Sequence, residues 1–301
     1  MRTKINWGRF LRPPRANLRT KIITWSFIPT VIILVSVAVV IYFAYQDVTE
    51  ELVIGRNREL IRLTANQLVT KFMQYADILE IETRRSDIYD ADPDAQRDAL
   101  RQASNRLTMF DAGVIVLDTF GTVVASEPDR PELLNQDWAD HDIYLEMLQS
   151  QILGTQSPLF SRIVPDGPDG IEVVVVSVPI LGPQSEFVGL IGGMFEVDPV
   201  AVSTFYGDII KLRIGETGTA YIVDGTGRVI YHTDHERILE DRSDLEIVQE
   251  VLTGKANAIR TRDVEGLQIV ASFAPLPGTP WGLIKEESWA GLIRASQGYR
   301  Q

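Results

Sequence analysis

The sequence predicts an α+β protein: an N-terminal transmembrane helix and a long stalk helix, then two tandem modules with antiparallel sheets. The first observation behind this is a repeat. Residues 114–126 read VIVLDTFGTVVAS and residues 220–232 read AYIVDGTGRVIYH, each an apolar strand closed by Asp, two spacers, Gly and a second apolar strand. Asp118 corresponds to Asp224, Gly121 to Gly227 and Val123-Val124 to Val229-Ile230, at a constant offset of 106 residues. Repeats of this kind are units of architecture and precede any reading of single elements. The second observation is that the correspondence continues downstream. Each copy has a helix ending at Gly (Leu145 to Gly154, Leu245 to Gly254), a strand running into Pro (Pro179, Pro275) and a last strand with Gly-Leu-Ile (189–191, 282–284). The third is an uncharged run near the start of the chain.

Residues 1–21 form a basic tail, carrying Arg2, Lys4, Arg9, Arg12, Arg15, Arg19 and Lys21 and no acidic residue. Ile22 to Tyr45 then runs 24 residues without a charge, enough to cross a hydrocarbon core of about 30 Å at about 1.5 Å per residue. Trp25, Tyr42 and Tyr45 fall near its ends, where amphipathic rings favour the headgroup zone. A cleaved signal peptide fits poorly, because the apolar stretch is too long and no small-x-small site follows it. The positive-inside rule places the N-terminus in the cytoplasm and everything after residue 45 outside the cell membrane.

Without the tail, 22 basic residues face 41 acidic ones, so the ectodomain carries a net −19. That surface repels nucleic acid and anionic headgroups and argues against either as its partner. Cysteine is absent, which removes disulfides and thiolate metal sites. The roughly 255 residues outside the membrane suffice for two modest cores.

A stalk helix is predicted over 46–85. Between Asp47 and Arg84 there is no Pro and one Gly, Gly55, and Ile61, Ala65, Leu68, Phe72, Tyr75 and Leu79 recur at helical spacing. Leu60, Val69, Met73 and Ala76 widen this stripe beyond a coiled-coil seam. The upper part is therefore expected to pack on its own domain, with homodimerisation nearer the membrane. Because the stalk continues from the anchor, it can couple ectodomain to membrane mechanically. Asp77, Glu80 and Glu82, interleaved with Arg84 and Arg85, read as solvated charge.

The membrane-distal module is predicted over 86–213. Asp92-Pro93 reads as an N-cap followed by Pro at the first position of a helix reaching Leu107. The hairpin 113–126, a polar loop 127–140 and a helix Ile143–Leu153 follow. Ile171–Val178 and Phe187–Val197 read as strands, the first preceded by a turn at 165–170. Residues 198–213 read as a connecting helix. The membrane-proximal module covers 214–287. Residues 288–301 read as the start of a connector toward a second membrane span, which lies beyond the sequence given.

The layout resembles the double Cache sensor domain, with two PAS-like modules, found in bacterial transmembrane receptors. The resemblance covers about residues 46–290. Its most specific part is GETGTAYIVDGTGRVIYHTD (215–234) with APLPGTPWGLIKEE (274–287); LDTFGTVVAS and DHDIYLEML carry the distal module. It implies a small molecule held in the distal module and a signal passed to a cytoplasmic output, with a histidine kinase first, then a diguanylate cyclase or chemoreceptor.

In amino-acid-binding members the distal helix opens on Arg and an aromatic pair, and later acidic residues hold the ligand's amino group. Here the segment reads Asp140-His141-Asp142-Ile143-Tyr144. Tyr144 keeps one ring, Ile143 replaces the other, and His141 stands where the Arg is expected. Arg162 stands where an Asp would be. One carboxylate clamp is missing and a cation faces the ammonium, which argues against α-amino acids. The expected pocket consists of His141, Tyr144, Phe160 and Arg162, with Trp138 near its mouth and Ser126 or Ser177 on the sheet. Its expected ligand is an anionic or neutral aromatic solute. Taken singly, Arg162 also reads as a solvated loop residue and Tyr144 as ordinary core.

The remaining motifs read as structural. His232, Asp234, His235 and Glu236 offer metal-ligand types, but no second His follows at zincin spacing. The turn at Asp166…Gly170 lacks the ligands of a calcium loop. Gly189…Gly193 and Gly215…Gly218 make neither a G-x-G-x-x-G element nor a P-loop. No G-x-S-x-G element appears, so no metal, cofactor or catalytic group is expected within these 301 residues. Two functions follow: the input half of a sensor receptor or, alternatively, a bitopic surface protein whose modules contact another membrane protein.

Overall fold

The computed structural model describes residues 18–90, 92–152, 154, 157–167, 170–198, 203–212, 218–263 and 266–298. It divides into two compact units, one reaching Val53 and one spanning Ile54–Gln301. The first helix, α1, is Leu18–Thr83. In the first unit, side chains within the anchor segment are described only over 27–41. There the apolar residues, among them Phe27, Ile33, Leu34 and Val40, are exposed. Among the described residues no helix is long and apolar enough to cross a membrane. Residues 1–17 and the side chains of 22–26 and 42–45, with Trp25, Tyr42 and Tyr45, lie outside the described residues.

In the second unit the predicted stripe is the spine of the core. Ile61, Ala65, Leu68, Phe72, Tyr75 and Leu79 are all buried, while Leu60 on the flank stays exposed. Burial of each large member contributes about 1.5–3 kcal/mol. Glu82 corrects the sequence reading. It is 1 % exposed and lies 2.7 Å from Arg106 and 3.7 Å from Arg85. Arg85 is its i+3 neighbour, but Arg106 comes from α3, so spacing along the helix alone made Glu82 look solvated. A short helix α2 (Ser86–Tyr89) and α3 (Pro93–Leu107) follow, the latter capped by Asp92, whose side chain accepts from Asp94 N–H.

The first module continues with β1 (Gly113–Asp118), β2 (Val123–Glu127), α4 (Asp142–Ile152), β3 (Leu159–Phe160), β4 (Val164–Pro165), β5 (Glu172–Leu181), β6 (Phe187–Glu196) and α5 (Thr204–Lys211). The second has β7 (Gly218–Val223), β8 (Val229–His232), α6 (Glu246–Leu252), β9 (Asn257–Arg262), β10 (Gln268–Pro275), β11 (Gly282–Ser288) and a final helix α7 (Trp289–Gly298). β3, β4 and β9 are additions to the sequence reading. Within the expected connecting helix Thr204–Lys211 is helical, and residues 199–202 and 213 lie outside the described residues, as does Leu153, the predicted end of the helix that precedes β3.

Both sheets are antiparallel, ordered β2-β1-β6-β5-β3 and β8-β7-β11-β10-β9, with β4 pairing β5 off the path. The repeat is therefore one of topology as well as of sequence. Even its irregularities recur: the bulge at Val116/Leu117 reappears at Ile222/Val223. Gly121 and Gly227 both take positive φ, and a Cβ there would strike the backbone of Ala139 or Ser243. Each sheet turns one face to the core shared with α1, through Val114, Val116, Val174 and Val176 in the first and Ile222, Ile230 and Leu283 in the second. The opposite faces carry α4 and α6, each over a separate core.

Candidate functional site

The outer face of the first sheet follows from the period-2 alternation of strands. Ile115, Leu117, Val173, Val175, Leu190 and Met194 point to it, and Trp138, Ile143, Tyr144 and Met147 pack down from the loop and α4. Across the middle of this face the strand registers align Ser126, Ile115, Gly192, Ser177 and Leu159 in one row. Three of the five are glycine or serine. Ser126 Oγ accepts from Arg130 N–H at 2.9 Å. Ser177 Oγ is fully buried and has no hydrogen-bond partner among the described residues. A buried hydroxyl left unpaired costs about 1–3 kcal/mol, so Ser177 marks a place where a polar partner is wanted.

At the start of α4, Trp138 and His141 stack with ring centroids 4.6 Å apart and planes 14° from parallel. Burial and then the nearby Arg162 cation hold the His141 imidazole below its ordinary range, against the opposing pull of Asp142, Asp137 and Asp140. Arg162 Nε lies 2.9 Å from Asp142 Oδ2, both side chains about half exposed. Tyr144 is buried and donates from its hydroxyl to Thr119 O at 2.6 Å. Burial, with Asp118 and Asp137 nearby, raises its pKa.

The structure thus brings His141, Trp138, Arg162 and Tyr144 together at one end of α4, with Ser126 and Ser177 on the sheet face beneath that helix. Phe160 does not join them. It pairs with Val176, whose side chain points to α1, and its ring packs 6.4 Å from Phe72 and 5.4 Å from Trp281. A one-residue step along a strand reverses the face, so Leu159 takes the position expected for the ring.

Besides Glu82, sequence reasoning missed the burial of Asp166 and Arg242. Asp166 is wholly buried 2.7 Å from Arg130 Nη1; its turn composition gave no sign of this. Arg242 is 7 % exposed, with its guanidinium 4.5 Å above the Tyr221 ring and 3.0 Å from Glu240. His232 also stacks on Tyr221, with ring centroids 5.5 Å apart, and its Nδ1 accepts from Asp234 N–H at 2.8 Å. Among the described residues no group of three or more His, Asp or Glu stands together as a metal site. A separate groove of about 700 Å³ runs between α1 and the end of β5, past Met73, Asp77, Tyr89 and Pro179.

Two like-ordered antiparallel sheets thus pack on one long helix as a tandem pair of α+β modules. The chain belongs to the Cache domain family, whose model matches residues 46–295. The ligand-binding domain of the Pseudomonas fluorescens chemoreceptor CtaA, in complex with L-isoleucine, superposes with a TM-score of 0.60 at 14 % identity, over 84 % of this chain and 99 % of that one. The extracellular domain assigned to a histidine kinase, rpHK1S-Z16, gives 0.58 at 16 %, over 83 % and 98 %. The ligand-binding domain of the Pseudomonas aeruginosa amino acid chemoreceptor PctB, in complex with L-Arg, gives 0.56 at 15 %, over 84 % and 99 %. At these identities the likeness is one of fold. A search of curated proteins returned no match.

Proposed function

We propose that this chain is the extracytoplasmic sensing part of a transmembrane receptor, with a histidine kinase as its first candidate output, and that a small solute binds the first module under α4. The observation that carries the reading is the outer face of the first sheet, where a row rich in Gly and Ser includes the unpaired Ser177 hydroxyl. Arg162 and His141 at the rim favour an anionic or neutral aromatic ligand over an α-amino acid, whose ammonium would meet a cation. The relatives crystallised with L-isoleucine and L-Arg make amino acids the natural comparison.

The proposed organisation is a cytoplasmic tail at 1–21, an anchor at 22–45, a stalk at 46–85, modules at 86–213 and 214–287, and a connector at 288–301. The exposed apolar side chains over 27–41 support the anchor, and Leu60 and Leu63, exposed on α1, support self-association of the stalk.

The test is a thermal-shift screen of the detergent-solubilised chain, since a ligand that binds only the folded state raises its melting point. Aromatic carboxylates such as benzoate are expected to raise it, and L-isoleucine and L-arginine are not. Arg162→Ala should weaken carboxylate binding by roughly 1.5–3 kcal/mol, the scale of a charge-assisted hydrogen bond. A saturable shift with an amino acid that disappears in Tyr144→Ala would reject the ligand class but keep the site. A shift insensitive to Tyr144 and Arg162 but lost on Asp77→Ala would move the site to the groove beside α1.

A further inference from the structure

The cation at the rim of the proposed site belongs to a segment that the first module holds only weakly. Ser161, Arg162 and Ile163 lie between β3 and β4, each only two residues long, and the flanking pairings to β5 involve only Val176–Ser177 and Glu172–Val173. Within its own module the segment's backbone is held through Ser161: its N–H donates to Val175 O at 2.9 Å, its Oγ accepts from Val175 N–H at 2.8 Å, and its Oγ–H donates to Arg162 O at 2.6 Å. The remaining backbone partners come from the second module. Trp281 Nε1 donates to Ser161 O at 2.7 Å, and Ile163 N–H donates to Asp224 Oδ2 at 2.9 Å. One of these bonds falls just before Arg162 and the other just after it.

We infer that Asp224 and Trp281 of the second module are positioning residues for Arg162, so that the binding site of the first module is assembled by its neighbour. The inference rests on the reading of the α4 end as the ligand site. The division of labour within Asp224 supports it. Its Oδ1 closes its own hairpin, accepting from Thr226 N–H, Thr226 Oγ1–H and Arg228 N–H at 2.7–3.0 Å. Its Oδ2 is left to reach Ile163, and the carboxylate is fully buried. The equivalent Asp118 closes its hairpin with Oδ1 in the same way, but it is only partly buried.

An arginine side chain magnifies any tilt of the backbone that carries it. Two bonds pinning that backbone therefore decide whether the guanidinium meets Asp142 and His141 or swings into solvent. The relation is reciprocal: a ligand that pulls on Arg162 also loads Asp224 and Trp281. Trp281 stands edge-on to Phe72 of α1, with ring centroids 5.4 Å apart, so the load has a packed route to the long helix.

His141 reports the position of Arg162 without any ligand, because that cation helps hold its titration down. The chain has three histidines, so histidine-labelled full-length protein in detergent micelles gives resolvable imidazole NMR titrations, with exposed His235 as reference. Arg162→Gln should raise the His141 midpoint. Asp224→Asn keeps an oxygen for the hairpin but cannot accept from Ile163, and Trp281→Phe keeps the ring but loses the donor. Each should raise the midpoint in the same direction by part of the Arg162→Gln shift. Neither should move it further in an Arg162→Gln background. Trp281→Phe keeps the test available if Asp224→Asn fails to fold. The inference is overturned if both second-module variants leave His141 unmoved, if their shift persists without Arg162, or if Arg162→Gln itself has no effect. No ligand enters this experiment, so an empty ligand screen would remove the functional reading while leaving this result standing.

Discussion

The two modules share one backbone and differ in what stands on their outer faces. In the first sheet the central row reads Ser126, Ile115, Gly192, Ser177, Leu159; in the second the matching row reads His232, Tyr221, Ile284, Phe273, Asn257. At the loop position whose N–H bonds to the hairpin Gly carbonyl, the first has Trp138 and the second Arg242. One face keeps a small, polar floor with an unpaired hydroxyl. The other carries the Tyr221 and Phe273 rings, with His232 stacked on Tyr221 and the Arg242 guanidinium over it. Duplication thus preserved the scaffold, while the side chains of the two outer faces diverged, and the first face is the one proposed to take a ligand. The hairpin aspartates diverged as well, since Asp224 also reaches across to the first module.

The largest expected effect breaks that last difference. Asp224→Ala would strand Ile163, Thr226 and Arg228 N–H groups around a buried site and should cost about 3–5 kcal/mol, against about 1 kcal/mol for Asp118→Ala. Urea unfolding of the two variants measures the gap; equal losses would mean that the inter-module bond contributes nothing. Next come the matched row positions. Phe273→Ala should cost about 3–5 kcal/mol as a cavity in the closed core, whereas Ser177→Ala should be neutral or slightly stabilising because it removes an unpaired buried hydroxyl. A comparable loss at both positions would show that the first floor is packed core too.

A pH effect should separate His232 from Ser126, its counterpart. Burial, reinforced by Arg242, lowers the His232 pKa from its ordinary 6.5 to about 4. Between those values the unfolded chain binds a proton that the folded chain does not. This contribution is therefore full above about pH 6.5 and is lost as pH falls toward about 4, and it amounts to roughly 2–4 kcal/mol. Denaturant melts at pH 7.5 and 4.5 should show a drop in the parent that shrinks in His232→Phe. An unchanged pH dependence in that variant would assign the drop to other groups. The smallest effect is expected at Arg162. Its ion pair with Asp142 is about half exposed, so Arg162→Ala should change stability by less than about 1 kcal/mol even where it weakens ligand binding.

Much of this was legible in the chain. The 106-residue offset foretold two sheets of the same order because strand–Asp–Gly–strand hairpins are set locally, by turn chemistry and alternation. The stripe from Ile61 to Leu79 foretold the buried face of α1 because helical periodicity is also local. Asp92-Pro93 fixed the start of α3 for the same reason. The strands β3, β4 and β9 were not legible: two are only two residues long, and Asn257–Arg262 reads NAIRTR, with Ala258 and Ile259 adjacent and the rest polar, so it shows no strand period.

The site divides along the same line. That Trp138, His141 and Tyr144 would cluster could be read from the chain, since three residues within seven positions at a helix start are neighbours. The sequence by itself also determined the anchor-like uncharged run and the chemistry of the acidic surface. Only the tertiary structure decided which face Phe160 serves, because that depends on which β5 residue it pairs with. Only the tertiary structure buried Glu82, Asp166 and Arg242, whose partners lie on other elements: Glu82 with Arg106 and Arg85, Asp166 with Arg130, Arg242 with the Tyr221 ring. Local patterns encode what each segment forms. Burial of a charge and the meeting of Asp224 with Ile163, 61 residues apart, are properties of the packed whole, because their energies exist only once distant segments have excluded water between them.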